Sequence, residues 1–214
     1  MRQKRTRSTP RRPCRSWTGW IVALALLWSA PASAEPKPLL VVLHGDGERA
    51  SAARTRWERV AKQRGFVVFA PQVPSGTSWW KWNGDPQWLK DRVAKIAGVD
   101  PKRIYAAGWS GGATYLGMRA HAWGDTFAAL VAHGGGMAPA DDACPDRTPP
   151  AYFLVGDANP LHHLAGDMHE FFARCEKAVV WDLVRGGDHA GERRALDAKK
   201  ARVILDWLVT HTRK

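Results

Sequence analysis

A three-layer α/β sandwich on a mostly parallel sheet is the fold class the sequence predicts, and three observations carry it. Apolar runs of strand length recur without the alternation of a half-exposed strand, as in Leu39-Leu40-Val41-Val42-Leu43 and Tyr152-Phe153-Leu154-Val155, the pattern of strands covered on both faces. Segments of helical periodicity separate these runs, an order that generates parallel pairing through crossover connections. Glycine-rich turns follow three of the runs: His44-Gly45-Asp46-Gly47, Gly108-Trp109-Ser110-Gly111-Gly112 and Gly186-Gly187-Asp188-His189.

Residues 1–34 are set apart by composition. Seven basic residues from Arg2 to Arg15, an apolar run over 17–28 and the small-residue sequence Ala32-Ser33-Ala34 read as an export signal cut after Ala34. The apolar run is shorter than the roughly 20 residues a membrane span needs, so no stable membrane anchor is expected after cleavage. Of the chain's formal charge of +12, the leader holds seven basic and no acidic residues, which leaves 25 basic and 20 acidic ones, or +5. The basic excess is therefore largely a targeting device, and nucleic acid is not an expected partner. Residues 35–214 make one domain, expected as a monomer in the periplasm or outside the cell. Cys14 leaves with the leader. Cys144 and Cys175 remain, and in an oxidising compartment they are expected to pair.

The elements follow in order. A strand over 39–43 turns through His44-Gly45-Asp46-Gly47 into a helix over 50–64, where Trp57, Val60 and Ala61 share a face. A strand over 65–71 opens into a long loop, 72–85, holding Trp79-Trp80-Lys81-Trp82; loops of that length in a small domain are more often functional than idle. Pro86 suits the first turn of a helix over 86–97 with Asp85 as cap. A strand over 104–107 runs into the Ser110 turn and a helix to about residue 122. Strands over 127–133, 152–156 and 178–184 alternate with a helix over 161–174. A last helix spans 190–211, with Leu196, Val203, Leu205 and Leu208 on its buried side.

Gly108-x-Ser110-x-Gly112 between a strand and a helix fits a nucleophile elbow. A serine at so sharp a turn is held in a strained backbone, glycines two before and two after it let strand and helix approach, and the amide of Gly111 opens the helix where an oxyanion would form. The amide of Asp46 is the expected second donor, with its carboxylate turned away. His189, behind two glycines after the last strand, is the expected base. His44, His133, His162 and His163 all precede that strand, against the chain order serine, acid, histidine. The acid is expected after the 152–156 strand, where Asp157 is the nearest carboxylate, with Asp167 and Asp188 as lesser candidates. Trp79, Trp80, Trp82 and Trp109 are the expected substrate wall, suited to apolar or ring-shaped groups.

Pro38 to Gly45, Gln63-Arg64-Gly65-Phe66-Val67-Val68, Trp82-Asn83, Val99-Asp100-Pro101-Lys102-Arg103-Ile104-Tyr105 and the Gly108 to Gly112 elbow together resemble the secreted polyhydroxybutyrate depolymerase, feruloyl esterase and dienelactone-hydrolase-like branch of the α/β-hydrolases. The resemblance covers most of the chain after the leader. It implies a minimal hydrolase fold without a large lid domain and hydrolysis of a small or polymeric ester through an acyl-serine, with no metal or cofactor. In such relatives the acid turn reads glycine, two residues, aspartate. Here that third slot after Gly156 holds Asn159. A peptidase or thioesterase with the same apparatus, and a hydrolase-fold binding protein using the tryptophan loop, are the alternative readings.

Overall fold

The computed structural model describes residues 35–74, 77–176 and 178–213, and the leader expected over 1–34 lies outside them. Six strands, β1 (Lys37–Leu43), β2 (Val67–Phe69), β3 (Val99–Trp109), β4 (Ala129–His133), β5 (Ala151–Gly156) and β6 (Val179–Val184), form one sheet in the order β2-β1-β3-β4-β5-β6. Every pairing is parallel. Helices α1 (Ala50–Gln63), α2 (Gln87–Ala94), α3 (Gly111–Met118), α4 (His162–Cys175), α5 (His189–Ala195) and α6 (Ala198–Leu208) complete the expected three layers.

Strand periodicity explains how both faces are covered. Leu40 and Val42 of β1, with Tyr105, Val131 and Leu154 of its neighbours, pack against Ala53, Trp57 and Val60 of α1 and Ala201, Ile204 and Leu205 of α6. The alternate residues Leu39, Val41 and Leu43, with Ala106, Leu130 and Phe153, meet Leu89 of α2, Leu116 of α3 and Met168 and Phe172 of α4. β4 and β5 bury every position, as do β1 from Pro38 and β3 from Ile104, which is why these runs lack a polar alternation.

Element bounds differ from expectation where local chemistry intervenes. The helix expected over 190–211 is two helices. Asp197 accepts from Lys200 N at 2.7 Å and caps α6, just as Asp188 accepts from Gly191 N at 2.6 Å and caps α5. With the axis broken there, Val203 faces solvent and Ala201 and Ile204 take the buried side with Leu205 and Leu208. The α3 helix ends at Met118, and a turn of 3₁₀ helix, Ala120–Ala122, continues it. Pro86 is itself the cap residue of α2, while Asp85 Oδ1 accepts from Gln87 N at 2.8 Å. Among the described residues no helix is long and apolar enough to cross a membrane.

Two tertiary ties lie beyond the sheet. Cys144 and Cys175 are disulfide-bonded, joining the 139–150 loop to the end of α4. His133, at the end of β4, is buried and its Nε2–H donates to the carbonyl of Glu192 at 2.7 Å, tying the sheet centre to α5. Burial pulls this imidazole down to about 4, because the interior penalises its charged form.

Two predictions follow from these ties. Closing a 31-residue separation is worth about 3.7 kcal/mol, so reduction, or serine at both cysteines, should lower Tm by roughly 7–15 °C in a calorimetric scan. Because His133 is depressed in the folded state, the unfolded chain takes up the proton first. Stability should be constant above about pH 6.5, fall by about 3 kcal/mol as pH drops towards 4, and lose that slope in His133→Gln, as read by urea midpoints across this range.

Candidate active site

Ser110 stands between β3 and α3 with φ 51° and ψ −117°, and among the described residues it is the one non-glycine residue with positive φ. Such a conformation costs of order 1–3 kcal/mol and persists only where the surroundings enforce it. They do so by contact. A β-carbon on Gly108 would lie 2.5 Å from Ala113 N, and one on Gly112 would lie 2.7 and 2.8 Å from the carbonyls of His44 and Leu43. Strand, helix and first turn therefore close to a distance that only glycine permits. Ser110 N donates to His133 O, and Ser110 O accepts from Ala113 N and Thr114 N, so the backbone on both sides of the serine is fixed.

The same closeness brings Asp46 against Gly111, where an added β-carbon would lie 2.4 Å from Asp46 Cγ. The Asp46 carboxylate is turned into the tryptophan loop, accepting from Trp80 N at 2.8 Å and Trp82 Nε1 at 3.1 Å. The carboxylate expected to turn away thus lies against Gly111, with its acceptors spent on the loop. His44 is buried and ties this turn to its neighbours through both ring nitrogens. Its Nε2 accepts from Val73 N at 3.2 Å, which leaves the proton on Nδ1 to donate to Gly45 O at 2.8 Å.

His189 is the first residue of α5, 46% exposed, and its ring lies flat on the indole of Trp109, the residue before Ser110, at 4.5 Å and 9° between planes. The structure thereby brings His189 to the elbow. His162 and His163 lie at the start of α4, where His162 Nδ1 donates to Gly156 O at 2.8 Å.

The expectation for Asp157 is corrected by the geometry. Its Oδ1 accepts from Gly186 N at 2.6 Å on the surface, whereas the partner of His189 Nδ1 is Glu192 Oε2 at 2.9 Å. Asp157 leaves β5 as its first exposed residue, and the chain turns inward only at Asn159. Asn159 Nδ2 lies 3.4 Å from His189 Nδ1 but donates to Glu192 Oε2 at 2.8 Å. Glu192 Oε1 also accepts from Gly156 N at 2.7 Å. The carboxylate is 1% exposed, accepts from a donor on each side, and meets Nδ1–H of His189 as a third. Asp188 caps α5, and Asp167 is exposed on α4. The missed signal was the His-x-x-Glu spacing: on a helix, residues three apart share a face, and Glu192 is the buried residue of the first turn.

The expected wall divides. Trp79 (64% exposed) and Trp82 (38%) line a basin of about 500 Å³ with Asp46, Lys81, Asn83 and Met118. Trp80 is mainly a buried packing residue. Its Nε1 donates to His44 O at 2.8 Å, its ring stacks on Tyr115 at 4.9 Å, and it separates the basin from a second, more apolar cavity of about 290 Å³ lined by Val73, Pro74 and Trp88. Trp109 is also buried, a platform beneath the imidazole with no face left for a substrate wall. Among the described residues no cluster of His, Cys, Asp and Glu has the geometry to hold a metal ion.

No protein-family model matches the chain. Over 94 residues it is 36% identical to a bifunctional acetylxylan esterase/xylanase of Neocallimastix patriciarum, a match covering 40% of this chain and 14% of that protein. NocK of Nocardia uniformis subsp. tsuyamanensis is 27% identical over 152 residues, covering 64% of this chain and 44% of NocK. The chain thus spans less than half the length of these two relatives. Among solved structures, a thermostable esterase is similar with a TM-score of 0.65 at 19% identity, over 85% of this chain and 56% of its own. The all-parallel sheet in this strand order and that structural likeness show an α/β-hydrolase fold, with a serine at a positive-φ turn between β3 and α3.

Proposed function

We propose that the protein is an exported serine hydrolase that cleaves carboxylic esters through an acyl-serine, with Ser110 as nucleophile, His189 as base and Glu192 as the acid. One observation supports this above the rest: a buried carboxylate, filled with donors, meets the imidazole that stacks against the residue preceding a strained serine. A carboxylate so placed is kept for what it does to its partner, since burying it without that purpose is costly.

In this reading His189 Nε2 takes the proton as Ser110 Oγ attacks the ester carbonyl. Glu192 holds Nδ1–H, fixing the tautomer and offsetting the charge of the imidazolium. The amides of Asp46 and Gly111, one in the turn after β1 and the other at the start of α3, receive the carbonyl oxygen as it becomes an oxyanion. Collapse returns the proton from His189 to the leaving alcohol. Water then attacks the acyl carbon as His189 takes its proton, and collapse breaks the Ser110 Oγ–acyl bond, releasing the acid while His189 returns the proton to Ser110 Oγ. The basin beside Asp46, with the open indoles of Trp79 and Trp82, would hold one arm of a small or polymeric ester. The Cys144–Cys175 bridge supports export to an oxidising compartment, with residues 1–34 as the signal.

A fluorophosphonate probe should label the wild-type protein and leave Ser110→Ala unlabelled; a wild-type protein as inert as the alanine variant would overturn the reading. Short p-nitrophenyl esters should turn over while peptide substrates do not. Glu192→Gln presents an amide donor to a nitrogen that must also donate, so kcat for the ester should fall roughly 10³- to 10⁴-fold. Asp157→Asn should stay within about threefold of wild type in the same assay, because its partner is Gly186 N and not the imidazole.

A further inference from the structure

The densest charge cluster beside the site is one the mechanism leaves unused. Glu48, in the turn after β1, takes Arg56 of α1 at 2.5 and 2.6 Å and Arg193 of α5 at 2.8 Å, and its Oε2 also accepts from Gly45 N at 3.3 Å. Its side chain is 15% exposed. Burial would raise this carboxyl, but the Arg56 hydrogen bonds and charge outweigh it and hold the group below its ordinary range, so it is ionised at neutral pH.

What the cluster surrounds is the platform beneath His189. Arg56 Cζ lies 5.6 Å and Arg193 Cζ 6.0 Å from the centre of the Trp109 indole. Gly45 packs so closely on that indole that a β-carbon would come within 2.6 Å of it. From the far end of the chain, α5 reaches this place and carries His189, Glu192 and Arg193 in little more than one turn. Two guanidiniums held over one indole repel each other unless an anion stands between them, and Glu48 is that anion.

We infer that Glu48 is a positioning residue: its carboxylate joins the first turn, which bears the Asp46 amide, to α5, which bears the imidazole and its acid. The role rests on the hydrolase reading above. It sets the distance between the point where the oxyanion is received and the point where the proton is taken, two features supplied by segments more than 140 residues apart. Glu48 itself touches neither substrate nor reacting atoms. Its loss should act on kcat and leave ester binding nearly alone.

The test is steady-state ester hydrolysis, with kcat expressed per fluorophosphonate-labelled serine so that misfolded molecules do not count. Glu48→Gln should lower kcat roughly 10- to 100-fold with KM within about twofold, the penalty of a misaligned reacting pair. Arg193→Met, a half-exposed change that leaves the core untouched, should lower it in the same way, and Arg193→Lys should recover much of the loss. Glu48→Gln combined with Arg193→Met should be no worse than the poorer single variant, because both break one link. Asp206→Asn, which breaks the exposed Arg64–Asp206 pair between α1 and α6, should behave as wild type. An unchanged kcat per labelled serine in Glu48→Gln, or fully additive losses in the double variant, overturns the role while the hydrolase reading stands. A wild-type protein that takes no label removes both.

Discussion

Two missing β-carbons, at Gly108 and Gly112, are the constraint on which the arrangement of the site depends. Each lies where an alanine would collide with backbone, one between strand and following helix, the other between that helix and the carbonyls that end β1. Because backbone cannot be displaced as a flexible side chain can, these contacts fix three segments relative to one another before any polar group is considered. Ser110 is left at the apex with a backbone that only so crowded a setting would impose. The contact of Asp46 with Gly111 follows from the same closure.

Charge is then arranged around that frame with little left to water. Glu192 sits in the interior because an amide of β5, an asparagine and an imidazole all turn towards it. His133 sits one strand away as a neutral ring, its donor given to the carbonyl of the same glutamate. One residue is thus gripped through both its main chain and its side chain. Trp109 fills the space between, with His133 tilted against it at 4.5 Å and His189 lying flat on it. A broad apolar ring lying flat against the imidazole restricts its turning.

The architecture was legible because buried parallel strands announce themselves as unbroken apolar runs, and because the elbow needs glycines at fixed offsets. The place of Ser110 at the elbow and of His189 after the last strand was legible from those turns. The carboxylate that faces the imidazole was not. Reading forward from β5 points to Asp157, the first carboxylate met, yet the slot that turns inward holds Asn159, and the charge comes from Glu192, downstream of the histidine. Chain order could not reveal this, since it presumes which turn supplies the acid. Helical spacing could have, had α5 been separated from α6, but the Asp197 cap is hidden in a segment whose apolar residues read as one long helix. The tryptophans divided for a related reason. Composition groups Trp79, Trp80 and Trp82 together, whereas the Trp80 indole proton finds the His44 carbonyl and draws that ring inward alone.

An imidazole and a carboxylate three residues apart on a single helical turn have a consequence for how their pairing tolerates motion. In an arrangement where they come from separate loops, any drift between those loops loosens the bond that joins them. Here the pitch of α5 sets their separation, so the helix can rock or slide as a small rigid piece and carry the pair intact. Thermal agitation of the surrounding loops is then felt chiefly in the gap to the serine, a single coordinate, and not in the partnership that tunes the imidazole.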